Sequence, residues 1–106
     1  MTAAAQQAGF DRKLISPMVL LELEYLYELK RTARPGREVL ETLRLDVGLQ
    51  VCDLPFDAVV LGALGQSWTR DPFDRLIVSQ ASLRRAPLLT KDRSIHEHYP
   101  RAVWGE

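Results

Sequence analysis

The sequence predicts an α/β domain with a mainly parallel sheet. Short apolar runs at 13–16, 49–52 and 87–92 alternate with segments of helical period. Two of the helical segments open on a cap-and-proline pair, Ser16-Pro17 and Asp71-Pro72. A composition of 46% hydrophobic and 26% charged residues is that of an ordinary globular protein, and 106 residues suit one domain, 1–106.

Taken in order, residues 2–9, rich in Ala and Gln, read as the end of a helix weakened by Gly9. "KLIS" at 13–16 reads as a short buried strand. Ser16 then caps a helix over 17–31, with Pro17 at its first position and Leu20, Leu23 and Tyr27 among its apolar residues. Pro35 opens a second helix to residue 45, with Val39, Leu40 and Leu43 on one face. "GLQVCDLP" is a strand candidate because Leu49 and Val51 alternate with Gln50, and a third helix covers 56–66. The helix from Asp71-Pro72 runs to about Arg85, "PLLTKD" is a short strand, and "RAVW" at 101–104 is a last edge strand.

Several function classes are excluded or weakened. Fourteen Lys and Arg balance fourteen Asp and Glu, so there is no general field for nucleic acid and any RNA contact needs a local patch. Arg70, Arg75, Arg84, Arg85, Lys91 and Arg93 crowd one quarter of the chain and read either as such a patch or as a solvated face. A single Cys52 rules out an internal disulfide framework and reads as a small buried hydrophobe. No apolar run is long enough to span a bilayer and the start does not resemble a signal peptide, so a cytoplasmic protein with no membrane partner is expected. There is no P-loop, nucleophile elbow or dinucleotide-binding glycine pattern; Gly62 and Gly65 read as helix-packing glycines and Ser79 has no base beside it. His96 and His98 read as surface histidines, since two histidines without an adjoining ligand pattern are a weak metal signal.

The acids carry two readings each. Asp71 and Asp74 suit a helix cap and a first-turn position that complements the dipole, and Asp92 suits a cap on "RSIHEHY". Glu24 and Glu28 read as solvated, whereas Glu22 falls between Leu21 and Leu23 near the apolar stripe, where a buried acid is costly. In sheets of this kind ligands sit outside the carboxyl ends of the strands. The helix start that leads to Glu22 and the loop at Asp92 are expected to share that rim.

"SPMVLLELEYLYELKR", "RDPFDRLIVSQA" and "PLLTKD", in this order, resemble the PIN domain, specifically the VapC-like ribonuclease toxins of bacterial type II toxin–antitoxin systems, over about residues 14–104. The resemblance implies a three-layer α/β/α fold and a metal-dependent endoribonuclease that cuts RNA phosphodiesters. It implies Glu22, Asp74 and Asp92 as catalytic acids and ligands of Mg²⁺ or Mn²⁺, with Thr90, Ser94, Arg75 and Lys91 as weaker substrate contacts. It also implies a cognate antitoxin and a homodimer as partners. Carboxylates crowded together repel, and a divalent cation offsets their charge.

The chain departs from that pattern at its start. Proteins of this type begin with an apolar strand ending in an aspartate; here Asp11 sits in "GFDRK", out of register with that motif. The reading is therefore of an N-terminally truncated domain whose first, central strand is missing. Such a loss leaves two half-sheets with unpaired inner edges. They close on each other, are bridged by a partner chain, or reflect a truncated gene or a translation start set downstream. The alternative function is a catalytically silent remnant that binds an antitoxin or a second PIN subunit.

Overall fold

The computed structural model describes residues 5–8 and 12–104. Five strands form one sheet in the order β3-β2-β1-β4-β5. They are β1 (Ala5–Ala8), β2 (Arg12–Ile15), β3 (Gln50–Val51), β4 (Leu88–Leu89) and β5 (Ala102–Val103). Helices α1 (Pro17–Glu28), α2 (Gly36–Val47), α3 (Phe56–Ala63), α4 (Pro72–Leu83) and α5 (Arg93–His98) complete the α/β fold.

The sheet corrects two expectations. Residues 5–8, expected to end a helix, form β1, paired antiparallel with both β2 and β4 through Gln6↔Leu14 and Gln6↔Leu88. The inner position expected to be vacant is thus filled by the chain itself. The physical reason is the cost of leaving backbone N–H and C=O groups unpaired along two inner edges, which outweighs the weak helical tendency of a four-residue segment. Because β2 and β4 both oppose β1, they share a direction; β3 is parallel to β2 and β5 to β4. Four strands therefore run one way around a single reversed strand. Their carboxyl ends lead into Ser16, Cys52, Thr90 and Trp104 along one rim.

The helix starts follow their capping chemistry. Ser16 Oγ accepts from Met18 N at 3.1 Å. Asp71 Oδ1 accepts from Phe73 N at 2.8 Å and from Asp74 N at 3.4 Å. Helix α1 ends at Glu28, short of the expected residue 31, because Lys30 turns to a φ of 60°. Gly48, at a φ of 71°, closes α2 in the left-handed conformation that glycine adopts without strain. Ile15, Val19, Leu49, Ile77, Val78 and Leu88 are among the buried residues of the core. Cys52, just beyond β3, is buried as expected and extends the ladder through its N–H to Ile15 O at 2.8 Å.

Candidate active site

Glu22 and Asp74 are both buried, at 3% and 8% exposure, on helices that pack against each other. Two contacts fix how those helices cross. Tyr25, in the third turn of α1, stacks on Phe73 in the first turn of α4, with centroids 6.2 Å apart. Pro17 and Met18, in the first turn of α1, line an apolar cavity of about 80 Å³ with Leu76 and Gln80 of α4. The helices thus run antiparallel across the contact, with Glu22 between Met18 and Tyr25 on α1 and Asp74 between Phe73 and Leu76 on α4. None of the three candidate acids lines the cavity.

The two readings of Asp71 and Asp74 separate here. Asp71 is exposed and does the capping; Asp74 is buried in the first turn it shares. Burying a carboxylate costs several kcal/mol unless polar or cationic groups compensate it, a cost that an exposed first-turn acid does not carry. Asp92 behaves differently. Its Oδ1 accepts from Ile95 N at 3.0 Å as the cap of α5, and its own N–H donates to Thr90 Oγ1 at 3.0 Å. Thr90 is fully buried; Ser94 is exposed on α5, and its backbone carbonyl accepts from His98 Nδ1 at 2.8 Å.

Among the described residues, no group of three or more His, Cys, Asp or Glu side chains is placed to hold a metal ion. The donor chemistry of Glu22 and Asp74 suits a hard divalent cation, but the described residues do not bring Asp92 into a three-acid cluster with them. Asp11 lies outside the described residues. His96 and His98 are exposed, as expected; His96 Nε2 donates to Thr90 O at 2.6 Å.

The basic quarter of the chain is divided rather than gathered. Arg84 donates from Nε to Cys52 Sγ at 2.8 Å and from Nη2 to Asp53 Oδ1 at 3.0 Å. Arg85 lies before β4, where its carbonyl accepts from Arg101 Nη1. Arg75 Nε donates to Thr69 O at 2.8 Å and so braces the loop that enters α4. Lys91 and Arg93 remain at the carboxyl-end rim, where Lys91 Nζ sits 5.0 Å above the centre of the Trp104 ring. Sequence reasoning missed this pair because its members are thirteen positions apart and meet only through β4–β5 pairing. It also missed Glu24, expected to be solvated, whose Oε1 accepts from Gly36 N at 2.9 Å.

Comparison with known proteins adds a family. Neither the curated proteins nor the solved structures gave a match. The family model described as "PIN domain" matches residues 1–100. Matching nearly the whole chain, it agrees with the α/β architecture, and the chain belongs to the PIN domain family.

Proposed function

We propose that this chain is an endoribonuclease of the VapC-like toxin kind, dependent on Mg²⁺ or Mn²⁺, with Glu22 and Asp74 as the paired acids of its centre. The observation that carries this reading is the burial of both carboxylates on two helices that pack against each other. Buried carboxylates need compensating groups around them, and a divalent cation is one such compensation. Carboxylate oxygens are the donors that Mg²⁺ and Mn²⁺ take. Members of the PIN family are commonly nucleases, which supports phosphodiester hydrolysis as the reaction. In this reading Asp92 is the third acid, Ser94, Arg75 and Lys91 contact RNA while the buried Thr90 braces the Asp92 turn from within, and the helices flank the sheet in three layers. An antitoxin and a second copy of the chain are the proposed protein partners, in the cytoplasm.

A second reading has its own observation. Asp92 caps α5, and the described residues hold no three-acid group, which favours a silent domain that docks an antitoxin or another PIN subunit. Incubating the purified chain with a mixed RNA pool, with and without Mn²⁺, separates the two. Metal-dependent cleavage supports the nuclease; a folded chain that neither cleaves RNA nor binds Mn²⁺ supports the silent domain.

A further inference from the structure

The rim at the end of β5 carries an exposed aromatic ring that neither the fold nor the acid pair uses. Trp104 is 49% exposed, directly after β5, and Lys91 Nζ lies 5.0 Å over its ring. Both positions are set by the backbone. Leu89 is paired with Val103, and Thr90 N donates to Val103 O at 3.0 Å, so the residues leaving β4 and β5 emerge side by side at their carboxyl ends. Asp92 and the buried Thr90 belong to the same turn. A large half-exposed indole gains little by staying in water, and its ring face attracts either a cation or another flat π-system.

We propose that Trp104 and Lys91 form a subsite for single-stranded RNA beside the Asp92 turn: the indole stacks one base, and the Lys91 ammonium takes the phosphate next to it. The inference rests on the nuclease reading for its choice of RNA over other ligands, and it adds a residue, Trp104, to that reading. In the free chain the ammonium occupies the ring face. A base arriving on that face displaces it, and the flexible four-carbon stem lets the charge turn to the flanking phosphate. Stacking of this kind tolerates any base, because each has a π-face, and the lysine adds a charge contact that weakens with salt. A chain with zero formal net charge needs a local arrangement of this kind to hold RNA at all.

The test is fluorescence anisotropy of a labelled ten-nucleotide single-stranded RNA in EDTA, where cleavage plays no part. Wild type is compared with Trp104→Ala, Trp104→Phe and Lys91→Ala, each checked for folding by circular dichroism. The expected result is an affinity loss of about five- to a hundred-fold for Trp104→Ala, small loss for Trp104→Phe, and a shallower salt dependence for Lys91→Ala. No RNA binding by wild type, or equal affinity in wild type and all three variants, overturns the proposal. So does a change of oligomeric mass in Trp104→Ala with RNA affinity intact, which marks the ring as a protein contact. Trp104-dependent binding without cleavage in Mn²⁺ leaves the subsite standing while the nuclease reading fails.

Discussion

The backbone N–H of Gly36 donates to Glu24 Oε1 at 2.9 Å, so a side chain of α1 caps the start of α2 twelve residues later. The residue at the cap position is Pro35, whose side chain makes no capping bond. Glu24→Ala is expected to lower stability by about 0.5–2 kcal/mol, the range for losing a cap, and Glu24→Gln to lose less because its carbonyl oxygen still accepts. Urea unfolding of the three proteins measures this; equal midpoints contradict it.

Gly62 tests how closely α3 and α4 approach. A Cβ there meets Ser79 Oγ at 2.4 Å, and that hydroxyl is held by its bond to Val59 O at 2.7 Å. Helix propensity alone favours Gly62→Ala by about 1 kcal/mol, but overpacking costs about 1–3 kcal/mol, and the rigid, bonded neighbour makes the steric effect win. Gly62→Ala is expected to unfold at lower urea than wild type. Adding Ser79→Ala removes the clashing atom, so the double variant is expected to be more stable than Gly62→Ala alone.

Asp92 can be split into its two roles by choice of substitution. Asparagine caps a helix about as well as aspartate, so Asp92→Asn is expected to melt close to wild type, whereas Asp92→Ala loses about 1 kcal/mol. If Asp92 also serves the nuclease, Asp92→Asn cleaves RNA much more slowly despite its intact fold. Full cleavage by Asp92→Asn reduces Asp92 to a cap.

Tyr99 makes stability depend on alkaline pH. Burial raises its pKa above the ordinary 10.0, partly offset by the Arg101 charge, and its hydroxyl donates to Ala86 O at 2.6 Å. The neutral phenol is favoured in the folded chain. This contribution is therefore complete below about pH 10, the unfolded value, and is lost as pH rises from there through the raised folded value. Urea midpoints between pH 8 and pH 11 are expected to fall more steeply for wild type than for Tyr99→Phe; parallel curves contradict the assignment.

Much of the fold was legible because the signals were local. Ser16-Pro17 and Asp71-Pro72 start helices through bonds to the next two or three residues, and the short apolar runs became β2, β3 and β4. The missed features depend on residues distant in sequence. "AQQA" has no strand pattern, and only the unpaired edges of β2 and β4 recruit it as β1. Glu24 is solvated on any helical wheel until α2 folds back to it. Residue patterns placed Glu22 near the apolar stripe, but the packing of α1 on α4 that includes the Tyr25–Phe73 stack is a tertiary contact. The capping role of Asp92 was readable from sequence; the dispersal of the arginines was not, since Arg75 follows the Thr69 carbonyl and Arg84 follows Cys52 and Asp53, partners set by the tertiary fold.

The central claim is that Glu22 and Asp74 act as one unit, and a double-mutant cycle on RNA cleavage in Mn²⁺ tests it most directly. Wild type, Glu22→Gln, Asp74→Asn and the double variant are compared, with folding verified for each. The account predicts that either single substitution lowers the cleavage rate by about 10²-fold or more and that the double variant is scarcely slower than the singles, as for groups that work together. Independent, additive losses, or a single variant that cleaves like wild type, would contradict it.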